Sequence, residues 1–143
     1  MQLRKNGGFY KLPLAWASDD ITAVIAATSK GIANTQNLCF CYRVNSQTIS
    51  NNGNAEIKMQ SVLKEQKWYH SFLEKEPVSE LDKKYSRCIK KMYSLFFEKK
   101  KGLTIAKDLK NHSFFRLLYW IRHMREYQIS LRCILYSIIV SVK

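Results

Sequence analysis

Residues 38–60, LCFCYRVNSQTISNNGNAEIKMQ, decide the fold expected of this chain. In 38–44, Leu38, Phe40, Tyr42 and Val44 alternate with Cys39, Cys41 and Arg43. In 55–60, Ala55, Ile57 and Met59 alternate with Glu56, Lys58 and Gln60. Alternation of period two is what a half-buried strand requires. Between the two runs lies Ser50-Asn51-Asn52-Gly53-Asn54, and Asn-Gly tolerates the positive φ angles of a tight hairpin turn. The stretch therefore reads as an antiparallel hairpin near 38–60. The fold expected is α+β, a small antiparallel sheet in the N-terminal half followed by a helical C-terminal half.

Upstream of the hairpin, residues 1–20 read as a loose lead-in ending at Ser18-Asp19-Asp20. Residues 22–28, TAVIAAT, fit a short buried strand or a brief helix, with Lys30-Gly31 as a turn after them. Downstream the period becomes helical. Val62, Trp68, Tyr69, Phe72 and Leu73 share a face over 61–75, and Glu76-Pro77 ends that helix, since a residue before proline disfavours the α region. Ser79 is a good N-cap, with Glu80 and Asp82 in the first turn. The best-patterned segment is 80–100, where Leu81, Tyr85, Cys88, Ile89, Met92 and Phe96 form an apolar face at i, i+4, i+7 spacing. Gly102 is expected to stop it, with a short helix over 103–110 and a longer one over 113–127 starting at Ser113. Residues 129–142 are ambiguous: β-branched content favours a strand, while Ser130, Ser137 and Ser141 falling on one helical face favour a helix. The chain of 143 residues is long enough for one domain with a real core, with a possible subdivision near Pro77 into 1–76 and 77–143.

The formal net charge is +13 and it is lopsided: 1–60 carry a balance of +3 and 61–143 a balance of +10. Excess positive charge attracts phosphates on nucleic acid or on an anionic membrane. Lys83, Lys84, Arg87, Lys90 and Lys91 lie opposite the apolar face of the 80–100 helix, and Lys99, Lys100 and Lys101 close its end. Such a helix can track phosphates, each neutralisation releasing a condensed counterion. The bland alternative is a solvated face whose terminal lysines complement the helix dipole. A helix-turn-helix outline over 102–125 would add Arg116, Arg122, His123 and Arg125. Its second helix is apolar almost all round, however, whereas a recognition helix exposes polar side chains to base edges.

The expected function is thus a small basic nucleic-acid-binding protein, with a regulator as one form of it, gripping phosphates through Lys83, Lys84, Arg87, Lys90, Lys91, Lys99, Lys100, Lys101, Arg122 and Arg125. Two alternatives use the same charge. One is a protein–protein module, an inhibitor or adaptor, docking on an acidic partner. The other is a peripheral membrane protein, for which an exposed apolar face at 129–142 would be the mark.

An enzyme is the least supported class. Glu56-Ile57-Lys58 on a strand, with Asp19 and Asp20 upstream, is the acid-x-Lys outline of a metal-dependent nuclease, but it also describes an ordinary exposed pair. Cys39 and Cys41 lack a second ligand pair, and His70, His112 and His123 are scattered, so no metal or other cofactor is expected. The aromatics that interleave with the basic residues, Trp68, Tyr93, Phe96 and Trp120 among them, could stack bases but are expected in the core. No signal peptide is read before Ala15-Trp16-Ala17, because Lys11 and Pro13 interrupt the apolar stretch. The uncharged run 133–142 falls short of the roughly 20 residues a spanning helix needs. Unpaired cysteines and these absences point to the cytoplasm.

Overall fold

The computed structural model describes residues 7–27, 54–113 and 115–142. Among the described residues there is no strand. Among these residues a 3-10 turn at Pro13–Ala15 precedes five helices: α1 Ser18–Ala27, α2 Ala55–Leu73, α3 Glu80–Asn111, α4 Arg116–Arg122 and α5 Leu131–Val142.

The expected α+β fold is therefore overturned. Half of the hairpin, 38–53, lies outside the described residues. The other half, 55–60, is the first turn and a half of α2. The reason is local. The side chain of Asn54 accepts hydrogen bonds from the backbone of Glu56 (2.8 Å) and Ile57 (3.2 Å), an N-cap that satisfies orphan donors of a first helical turn. The alternation Ala55, Ile57, Met59 is also compatible with a helix whose two faces both find partners, and here Lys58 and Met59 are both buried. Ambiguous residues 22–28 and 129–142 likewise resolve as helix over Ser18–Ala27 and Leu131–Val142.

Two further boundaries move. Gly102 does not stop α3, and no separate helix covers 103–110; one helix runs through to Asn111. The glycine is there for closeness. A Cβ at this position would sit 2.6 Å from the ring of Tyr136 and 3.4 Å from the carbonyl of Cys133, so its absence lets α5 lie against α3. The expected helix 113–127 shortens to Arg116–Arg122, followed by turns through Gln128. The N-terminus of α3 agrees with the sequence. Ser79 accepts from the backbone of Asp82 (3.1 Å) while Asp82 reaches back to Ser79, a reciprocal capping box.

The core gathers Met59 from α2, Ile105 and Leu109 from α3, Trp120 from α4, and Tyr127, Ile129, Cys133 and Ile134 from the last segment. A polar hub ties three helices around it. Buried Asp108 accepts from Trp120 Nε1 (2.8 Å) and Arg116 Nε (2.9 Å), and Arg116 Nη2 donates to Glu56 (2.8 Å). From there the chain runs back along α3: Lys101 Nζ donates to the carbonyl of Gln128 (3.0 Å) and Ser130 donates to Glu98 (2.7 Å).

α2 and α3 form an antiparallel hairpin, with Lys100 against Glu65, Tyr69 against Phe97, and the Tyr93 hydroxyl donating to the carbonyl of Gln66. Their lengths do not match. α2 ends seven residues after Gln66, whereas α3 begins thirteen residues before Tyr93. The first turns of α3 therefore reach past the end of α2.

Candidate functional site: a two-faced helix end

The N-terminal half of α3, Glu80–Phe96, carries the expected amphipathic pattern, but its apolar face is not core. Leu81, Tyr85, Ile89, Met92, Leu95 and Phe96 each keep 40–60% of their surface exposed. At about 100° per residue these six side chains fall within a third of the helix circumference. Their spacing is that of a core-facing helix, yet α2, which meets α3 at Tyr93 and Phe97, leaves them exposed. Between the two helices, Tyr69, Cys88, Ile89, Met92, Tyr93, Phe96 and Phe97 line an open groove of ≈ 360 Å³ with almost no polar wall.

On the other face, Lys83, Lys84, Arg87, Lys90 and Lys91 are all exposed, as the sequence predicts. Lys83 bonds Glu80 one turn away (2.6 Å), an exposed pair of little weight. Arg122 and Arg125, also exposed, belong to the segment that runs beside the far end of α3, between Asp108 and Glu98, and do not join this stripe.

The lysine run at 99–101 divides. Lys99 is exposed. Lys100 is engaged by Glu65, a carboxylate only 1% exposed, at 2.7 and 2.8 Å, and reaches Asp20 at 3.5 Å. Burial pushes the Glu65 carboxyl up from its ordinary range, and the Lys100 ammonium pulls it back down. Lys101 is buried against Gln128, and burial lowers its ammonium. Lys100 is thus half-buried and Lys101 buried, each with a partner inside the fold. A charge run alone does not say which of its members a neighbouring helix will cover.

α5 repeats the theme of an uncovered face. Cys133, Ile134 and Ser137 point into the fold, while Leu131, Leu135, Ile139 and Val142 stand 60–81% exposed at i, i+4, i+8, i+11 spacing. Such a row of exposed apolar side chains offers a surface that another molecule could cover. Ser137 and Ser141 donate to the carbonyls of Ile134 and Ile138, so the serine face is satisfied within the helix.

The remaining expectations place simply. Glu56 and Lys58 stand two apart on a helix, about 200° around, and so do not share a face. Glu56 holds Arg116, and Lys58 lies over the Trp16 ring at 5.0 Å. No cluster of three potential metal ligands occurs among the described residues. Cys39 and Cys41 lie outside those residues. Cys88 is exposed, and burial pushes the Cys133 thiol up to about 11, a packing role rather than a reactive one. Of the aromatics, Trp120 and Phe97 are core, but Tyr85 and Phe96 are exposed. No described helix is long and apolar enough to cross a membrane. No known family model, curated protein or solved structure matches the chain.

Proposed function

We propose that the protein is a peripheral membrane-binding protein that docks on anionic bilayers through the free end of α3. The observation that carries this reading is the exposure of both faces of Glu80–Phe96: an apolar stripe on one side, five basic side chains on the other. A helix with a Lys/Arg-rich face opposite Leu, Ile, Met and Phe lies in the interfacial plane with its apolar face among the acyl chains. Lys84 and Lys91 border the stripe and reach headgroup phosphates; each cation near an anionic surface contributes about 1 kcal/mol. Each half-exposed apolar side chain withdrawn from water adds about 1 kcal/mol more.

A phosphate-tracking nucleic-acid helix needs the basic face but has no use for Leu81, Ile89, Met92 and Leu95 in water. The exposed stripe on α5, Leu131, Leu135, Ile139 and Val142, is the mark set for the membrane alternative. These residues cannot cross a bilayer, which suits attachment at its surface.

Flotation of the full chain with phosphatidylcholine vesicles, with and without about a third phosphatidylserine, tests the reading. Binding to the anionic vesicles that weakens in Lys84→Glu/Lys91→Glu supports it. Absence of binding to anionic vesicles at low salt, or binding that tracks added DNA or RNA instead, contradicts it.

A further inference from the structure

The exposed apolar rows on α3 and α5 differ in what borders them. Lys84 and Lys91 flank the row on α3. α5 carries one charged residue, Arg132, and none from Cys133 to Val142. Its outward row, Leu131, Leu135, Ile139 and Val142, falls within about 80° of the helix circumference, a narrow seam that runs the length of the element. The opposite side is spent on the fold. Cys133 and Ile134 sit in the core, and the ring of Tyr136 packs over Gly102 of α3.

The row is close to self-complementary. Its steps are four, four and three residues. Laid antiparallel against a second copy, Leu131 faces Val142 and Leu135 faces Ile139, so every member of the row meets a member of the same row. Charge agrees with that direction. A parallel pair would set the two Arg132 side chains side by side. The antiparallel pair holds them about 14 Å apart along the axis, at ~1.5 Å per residue. That is beyond the ~10 Å over which exposed charges act at about 0.1 M salt. For a chain of net charge +13, this uncharged seam is where a second copy is repelled least. A two-fold pair built on the α3 row would instead press Lys84 and Lys91 of each copy against like charges.

We infer that α5 is a self-association face, on which a second copy of this chain packs its own α5 antiparallel about a two-fold axis. Four large aliphatic side chains from each copy hide about 1,000 Å² in total, the lower edge of specific interfaces. The dimer is therefore weak and reversible, with a Kd on the order of 10 μM. It stands whether or not α3 docks on a bilayer. With α5 covered in this way, docking is left to α3, whose two exposed faces carry that reading.

Sedimentation velocity of the full chain over about 1–200 μM, without vesicles, is the test. The average mass is expected to climb from one chain toward two. It is expected to climb at lower concentration in higher salt, because screening relieves the repulsion between two basic copies. Leu135→Lys puts a charge into the seam and is expected to weaken association at least about tenfold. The side chain it replaces is exposed, so the melting temperature of the dilute chain is expected to stay where it was.

Ile139→Glu is expected to weaken association in the same way. An equimolar mixture of the Leu135→Lys and Ile139→Glu chains is expected to recover it, since antiparallel pairing sets the two new charges opposite each other. Ile89→Ser/Met92→Ser, on α3, is expected to leave self-association unchanged. A chain that stays monomeric at about 200 μM overturns the inference. So does association that survives Leu135→Lys and is lost in Ile89→Ser/Met92→Ser. None of these readings involves a membrane, so a failure here leaves docking of α3 to vesicle flotation.

Discussion

At the scale of single residues, the interior is held by groups that would be expensive alone. Glu65 and Lys100 show this best. Removing the cation in Lys100→Met leaves a carboxylate buried without a partner, which is expected to destabilise the fold by about 3 kcal/mol in chemical denaturation. Replacing both, as Glu65→Leu/Lys100→Met, is expected to restore most of that stability, because apolar packing substitutes for a buried pair. The pH dependence has a definite sign. The folded Glu65 carboxyl is raised, so the folded state holds a proton more tightly than the unfolded chain. Stability then falls as pH rises from the ordinary carboxylate value through the raised one. In Lys100→Met, which loses the one influence pulling the carboxyl down strongly, that slope steepens, and the variant regains stability as pH is lowered. A variant that loses stability on acidification through that window contradicts this account of Glu65.

The same scale explains part of what the sequence does not reveal. Lys100 and Lys101 read as surface charge from their neighbours in the chain, and only the approach of Glu65 and Gln128 from distant positions makes them interior. Gly102 reads as a stop because glycine is a poor helix former. Its role appears only when Tyr136 comes within contact distance. Gly102→Ala is therefore expected to lower the melting temperature, a net loss of about 1 kcal/mol, since the crowding against Tyr136 outweighs the helix-propensity gain. A rise in melting temperature would mean the α3–α5 contact yields freely.

At the scale of elements, α3 is a helix of about 48 Å in which the C-terminal half is core and the N-terminal half is not. The legible part of the sequence was its periodicity and its cap: Ser79, Glu80 and Asp82 open α3 as expected. What periodicity cannot tell is whether a partner covers the stripe. The i, i+4, i+7 pattern is identical for a core face and for a face kept for another molecule. The hairpin reading of 38–60 failed for a related reason, because alternation over 55–60 fits a helix packed on two sides as well as a strand.

Two outcomes follow for α3 itself. Ile89→Ser/Met92→Ser is expected to change folding stability by no more than about 0.5 kcal/mol, the range of exposed substitutions, while reducing binding to anionic vesicles severalfold. A large drop in melting temperature would place these residues in a core. Ser79→Ala is expected to fray the first turns, a local loss of about 1 kcal/mol, without moving the global transition, because the first turns of α3 reach past the end of α2. Circular dichroism with denaturant melts checks both.

At the scale of the whole molecule, the charge imbalance of the sequence, +10 over 61–143, is spread over the surface, with one exposed basic stripe on the N-terminal half of α3 and Lys101 withdrawn into the interior. Two apolar stripes, one on the same half of α3 and one on α5, also remain in water. A chain that only needed to fold would not keep ten large apolar side chains in such ordered rows. The account makes the free end of α3 the part of the molecule that docks. Hydrogen–deuterium exchange of the full chain, with and without anionic vesicles, reads this most directly. The account predicts weak protection over residues 80–96 in solution and a clear gain there on vesicles containing phosphatidylserine. Unchanged exchange over 80–96 in vesicle-bound protein, with protection gained elsewhere, would contradict it.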